Sequence, residues 1–166
     1  MDLKIRKETP SDEPKVDELI REAFGRSGEA DLVERLRTGA AFIPNLSLVA
    51  EADGQVIGYI LFSPVQIRDD RGAQSESLLL APLSVRPAWQ RRGIGSHLVN
   101  MGLAVARELG YRTVLVRGSD GYCLRFGFVA AENFTSSEFM ALELVPDSLR
   151  LLSGSVIFPP GFQADA

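Results

Sequence analysis

Gln90-Arg91-Arg92-Gly93-Ile94-Gly95 is the stretch of this chain whose residue types and spacing can do chemistry. Two glycines one residue apart let the backbone come close to a ligand. Here they open an apolar pattern of helical spacing, so the first N–H groups of a helix and the positive end of its dipole would face whatever lies in the turn. A pyrophosphate fits such a site, and Arg91 and Arg92 add cationic donors suited to phosphate oxygens. The same six residues also make an ordinary tight strand-to-helix turn with two solvated arginines, and the turn alone leaves both readings open. Two nucleotide loops are excluded by inspection. A dinucleotide fingerprint needs a third small residue where Leu98 stands, and a Walker loop needs Gly-Lys-Ser/Thr where the chain has Gly95-Ser96-His97.

The elements around the turn follow from hydrophobic periodicity. Leu3, Ile5 and Lys7 alternate with polar neighbours as a short strand, and Thr9 to Glu13 offer capping side chains before a helix carried by Val16, Leu19, Ile20 and Ala23 to about Phe24. A second short helix runs from Glu29 to Arg37 with Leu32, Val33 and Leu36 as its apolar stripe, ended by Gly39. Leu46–Glu51 and Val56–Phe62 flank Asp53-Gly54, a dipeptide that favours a type I′ turn, so this region reads as an antiparallel hairpin. Ser77–Val85 is apolar enough for a central strand, yet Pro82 cannot donate to a ladder and implies a bulge or a local splay. Ile94 to Leu109 recurs at helical intervals with Gly110 behind it, and Tyr111–Arg117 is a β-branched strand, which completes a parallel crossover. A short helical or turn segment near Asp120 to Arg125, strand-like pieces around Phe128 and from Phe139 to Val145, and a Pro/Gly-punctuated tail close the chain. The fold class expected is α/β with a mixed sheet: antiparallel strands first, a central parallel pair, and helices on its faces.

Composition narrows what such a fold is for. The 166 residues suit one domain, 1–166, with a core of about 3–145 and a C-terminal extension of about 146–166. Eighteen Lys and Arg against 22 Asp and Glu give a net charge of -4, so no global basic field exists to hold a polyanion, and nucleic acid is not an expected partner. One cysteine, Cys123, and one histidine, His97, cannot build a Cys/His zinc site, and no metal is expected. The charged start lacks the apolar run of a signal peptide and no stretch approaches the ~18 apolar residues of a membrane span, so a cytoplasmic protein without a membrane partner is expected.

The stretch from Leu83 to Leu98 resembles the acyl-CoA signature of the GNAT superfamily of N-acetyltransferases, a Gln/Arg-x-x-Gly-x-Gly/Ala pattern after a hydrophobic strand. Gln90, Gly93 and Gly95 match its three fixed positions. Arg125-Phe126-Gly127-Phe128 is similar to the closing Gly-Phe element of that fold and, in this form, resembles its small bacterial YhbS-like branch. The resemblance covers roughly residues 3 to 145 and implies that acetyl-CoA is the co-substrate. Its pantetheine arm would enter a gap between the two parallel strands and pair with main-chain groups of Leu83, Ser84 and Val85. Gln90, Arg91, Arg92, Gly93, Ile94, Gly95 and Ser96 would hold the pyrophosphate. It implies transfer of the acetyl group to a primary amine by direct attack, the acceptor being a small molecule or a protein, with a homodimer allowed. An acyl-CoA-binding sensor or scaffold module without turnover is the alternative.

The catalytic residues that the resemblance implies are less regular. The usual proton donor is a tyrosine at the position that Cys123 occupies here, with Tyr122 directly before it. A thiol or a neighbouring phenol can each in principle protonate the leaving thiolate, and Cys123 can equally be a packing residue. Glu76 occupies territory where some members carry an acidic base acting through water, and it also reads as a solvated strand-end residue. His97 reads as a surface or satisfied histidine, Trp89 as a cover for the turn, and Phe158 and Phe162 as residues that pack an edge. An acidic chain leans toward a cationic acceptor such as a polyamine, an aminoglycoside or lysine, though a charge of -4 selects none of them.

Overall fold

The computed structural model describes residues 2–118, 121–135 and 138–162. Asp53 and Gly54 both have positive φ, 51° and 76°, and this turn joins β2 (Ser47–Ala52) to β3 (Gln55–Arg68) as the dipeptide predicts. β1 (Leu3–Lys7) pairs antiparallel with β2. β3 outruns β2, and the far part of the same edge is taken by β8 (Ser155–Ile157), which pairs Gln66 with Ile157. Sequence patterning reads this segment only as tail, because three residues are too few to show a period of two. The sheet order is β1-β2-β3-β4-β5-β7-β6, with β4 (Gln74–Val85), β5 (Thr113–Arg117), β6 (Val129–Ala130) and β7 (Phe139–Glu143).

Two layers of helix cover the sheet. On one face, α1 (Glu13–Phe24) and α2 (Gly28–Arg37) bury Val16, Leu19, Ile20, Val33 and Leu36 against Val49, Val56, Tyr59 and Leu61. On the other, α3 (Ile94–Glu108) buries Leu98, Val99 and Leu103 against Ile57, Ile60, Phe62 and Leu78. The end of α3 explains why β5 starts two residues later than its apolar pattern. Gly110 N–H donates to the Arg107 carbonyl and Tyr111 N–H to that of Ala106, a Schellman closure that keeps Tyr111 with the helix. The expected segment from Asp120 to Arg125 is a single 3₁₀ turn over Cys123–Phe126, and Asp120 itself lies outside the described residues.

The central strands run parallel but touch only briefly. β4 and β5 pair at Leu78 with Val114 and at Leu79 with Leu115, and no further. Next along β4, Ala81 and Pro82 together oppose the single residue Leu61 of β3, since Phe62 pairs with Leu80 and Ile60 with Leu83. This bulge sits where Pro82 removes a donor, and beyond it β4 and β5 separate. The sequence expectation of a splay at Pro82 is met.

A buried ionic link ties α2 to the first strand. Arg37 grips Glu8 through Nη2 to Oε2 and through Nε to Oε1 at 3.1 Å, and Ser47 Oγ donates to the same Oε1 at 3.0 Å. The two side chains are only 12% and 5% exposed. Ser47 Oγ also shares a 2.7 Å hydrogen bond with the Tyr59 hydroxyl, whose titration burial pushes upward. Removing one member strands a buried charge, which costs about 3–5 kcal/mol. Arg37→Met is therefore expected to lower unfolding stability by about 3 kcal/mol in urea titration, whereas Arg21→Met, on the exposed Asp17 and Asp31 pairs, should stay within about 1 kcal/mol. Equal losses for both would show that the Glu8 pair is no more than a surface contact.

Candidate active site

The turn after β4 is built to bare its N–H groups. A 3₁₀ turn over Pro87–Trp89 brings the chain round, Arg91 and Gly93 take left-handed backbone at φ 64° and 79°, and Gly93 is the N-cap of α3. Gly93 accepts from His97 N–H at 3.1 Å, which begins the helical ladder and leaves the N–H groups of Ile94, Gly95 and Ser96 without intrahelical acceptors. The two glycines serve different ends. Nothing lies near Gly93, so its requirement is conformational, whereas Gly95 needs space: a Cβ there would meet the Tyr122 hydroxyl at 2.8 Å.

β4 supplies a second set of open backbone groups. Arg86 N–H donates to the Ile57 carbonyl across the ladder at 2.8 Å. Strand alternation then turns the N–H and C=O of Leu83 and Val85 toward the other edge, into the gap left by β5. The Val85 carbonyl is met there by Gln90 Nε2 at 3.0 Å. Turn and edge together border a cleft of about 440 Å³. Its walls are Leu83, Val85, Trp89, Gln90, Arg91, Gly93, Ile94, Gly95, Ser96, Tyr122 and Arg125.

Of the two candidate acids, only Tyr122 reaches this cleft. Its hydroxyl lies 3.4 Å from Ser96 Oγ, longer than a well-made hydroxyl bond, so it is held close without being locked. Arg125 stacks on its ring at 4.5 Å and Phe126 meets it edge-on at 5.4 Å. A Cβ on Gly95 would also lie 3.9 Å from Leu83 Cδ2, so the phenol hydroxyl and the Leu83 side chain both border the space over Gly95. Cys123, one residue on, is half-buried and packs against the α3-side core. Sequence reasoning left Arg125 out of the site, although its place three residues after Tyr122, on the same side of a helical turn, is the signal that finds it.

Four other residues fall elsewhere. Ser84 is 3% exposed, with its side chain on the Tyr59 face and its backbone toward β3, so alternation removes it from the cleft that Leu83 and Val85 line. Arg92 is exposed and stacks on Trp89 at 4.9 Å, which makes Trp89 both a wall of the cleft and a platform for that arginine. His97 is exposed on α3. Glu76 is a correction of larger consequence. It pairs with Gln66 before the last β4–β5 contact, about 23 Å of extended strand from Leu83, and borders a separate depression beside Tyr111. A base at the cleft cannot come from there.

A glycine turn at a helix N-terminus, an open β4 edge and a bulge-driven gap are now in hand, and residues 14–128 match the acetyltransferase (GNAT) family. The chain belongs to the GNAT family. This GNAT protein is 36% identical over 167 aligned residues to Escherichia coli YhbS, an uncharacterized N-acetyltransferase, covering 95% of this chain and 97% of that one. A crystal structure of a Brucella melitensis GNAT acetyltransferase in complex with acetyl-CoA is similar at TM-score 0.83 and 38% identity, over 98% of this chain and 99% of that one. E. coli YhbS in complex with CoA gives TM-score 0.86 and 36% identity, over 96% and 91%. Among the described residues, no group of His, Cys, Asp and Glu is placed to hold a metal ion, and no helix is long and apolar enough to cross a membrane.

Proposed function

We propose that this GNAT acetyltransferase moves the acetyl group of acetyl-CoA to a primary amine by direct attack on the thioester. The observation that carries the reading is the outward edge of Leu83 and Val85, which runs from the N-terminus of α3 into the β4–β5 gap. Acetyl-CoA has an anionic end and an amide-bearing arm, and the cleft offers N–H groups with a helix dipole for the first and strand backbone for the second. A backbone N–H of Leu83 facing the gap also suits a thioester carbonyl, whose oxygen gains charge during attack. Tyr122, whose hydroxyl borders the space over Gly95 together with the Leu83 side chain, is assigned as the donor of a proton to the leaving thiolate. No carboxylate lines the cleft among the described residues, so the amine sheds its proton to solvent before it attacks. Two relatives of more than 35% identity crystallised with acetyl-CoA or CoA support the donor.

The test is acetyl transfer across a panel of primary amines, following free CoA together with the mass of each product. Acetylated amine and CoA in equal amounts are expected for at least one member. Tight CoA binding with no transfer to any amine would instead favour a binding module.

A further inference from the structure

One edge of β3 has a stretch that no strand covers. β2 stops pairing at Ser47 with Leu61 and β8 begins at Ile157 with Gln66, so Phe62 to Val65 have no strand beside them there among the described residues. The loop after α2, over residues 40–43, and Pro159-Pro160 behind β8 border this window without filling it. What remains is a cleft of about 480 Å³, at the end of β4 remote from Leu83. Its walls are largely apolar, with Phe42, Ile43, Ile157 and Phe158, and its prolines have fixed φ, so the cavity exists before any ligand arrives.

One end of the cleft is different. Gln66 and Glu76 are cross-strand partners on the same face of the sheet, and Tyr111, kept at the end of α3, borders the cleft with them. Burial, and then the charge of Glu76, push the Tyr111 phenol upward, as expected of two groups that face each other. Glu76 is the only charged residue bordering this cleft, and among the described residues it makes no ion pair and no hydrogen bond. A carboxylate and an aromatic ring at one end of an apolar trough suit a positive head on an apolar body. A metal ion is a poor match, since one carboxylate supplies too few oxygens, and an anion would meet an uncompensated negative charge. We infer that this cleft binds an organic cation, its head between Glu76 and Tyr111 and its apolar body along Phe158 and the prolines. Glu76 also borders a second depression, of about 290 Å³, but Arg112 lines that one and would repel the head. The site is separate from the donor cleft, so the inference stands apart from the transferase reading above.

Calorimetry with benzyltrimethylammonium tests it, because a quaternary ammonium cannot be acetylated and so reports binding alone. Saturable binding at millimolar concentration or below is expected, with the same affinity in the presence and absence of CoA. Benzyl alcohol should bind more weakly, and phenylacetate more weakly still. Glu76→Gln, at an exposed position near the start of β4, should weaken binding of the cation at least about fivefold and bring the affinities of the three compounds together. Glu76→Lys should abolish binding of the cation. Ala41→Phe fills the cleft without touching the second depression and should weaken all three compounds. Should Ala41→Phe fail to fold, the two Glu76 variants decide. Benzyl alcohol bound as tightly as the cation, unchanged cation affinity in Glu76→Gln, loss of binding when CoA is added, or no saturable binding at all overturns the assignment. Full affinity in folded Ala41→Phe does the same, by placing the cation in the depression beside Arg112.

Discussion

Gly95→Val is expected to leave the chain folded and to weaken acetyl-CoA binding at least about a hundredfold. The fold should survive because Gly95 sits in the first turn of α3 with helical backbone, where glycine is the poorer helix former and a side chain adds propensity. Binding should fail for a local reason. The new Cβ would stand 2.8 Å from the Tyr122 hydroxyl, and that ring has Arg125 on its face and Phe126 at its edge. The phenol must be driven out of its position or the first turn of α3 must shift, and either change disturbs the N–H groups of Ile94, Gly95 and Ser96. Losing two such bonds to an anion, at about 1.5–3 kcal/mol each, accounts for the hundredfold and more. Arg91→Ala should cost no more than about tenfold, since Arg91 is exposed and is one cation among several near the turn. Gly93→Val should also impair the turn, but by forcing a β-branched residue into left-handed backbone, so Gly93→Asn should recover much of the loss while Gly95→Asn recovers none. Calorimetry on the five variants decides the matter. Unchanged affinity in folded Gly95→Val would show that the anion is bound elsewhere.

The contrast between these glycines also shows where sequence stops. That a Gly-x-Gly before an apolar helix permits close backbone approach is legible from residue types alone. So are the Asp53-Gly54 hairpin, the crossover through α3 and the break at Pro82, because each depends on a local period or a local steric rule. Sequence does not show that one glycine serves a dihedral angle and the other a tyrosine 27 positions later. Contacts between distant segments leave no period to read. The same limit explains Glu76, for which a count of residues along β4 gave no hint of which end of the strand faces the cleft. Ser84 went astray for a simpler reason: the alternation that turns Leu83 and Val85 into the gap necessarily turns Ser84 away.

Tyr122→Phe is expected to lower kcat at least about a hundredfold with little change in acetyl-CoA affinity. A proton donor acts as charge grows on the departing sulfur, so its contribution belongs to the transition state and shows in kcat rather than in binding. Phenylalanine keeps the ring, and with it the contacts of Arg125 and Phe126, so the substitution removes the hydroxyl and little else. A purely structural role would behave otherwise. Among the described residues the hydroxyl's hydrogen-bond contact is Ser96 Oγ at 3.4 Å, too long for its loss to alter stability much, so a structural tyrosine here would give a nearly silent variant. Cys123→Ser should be mild, within a few-fold in kcat, because the thiol packs beside the α3-side core and does not line the cleft. The pair of substitutions therefore separates the position that the family pattern points to from the position that the geometry favours. A large kcat loss in Cys123→Ser with an active Tyr122→Phe would return the role to the thiol. Full kcat in both Tyr122→Phe and Cys123→Ala would leave water as the acid.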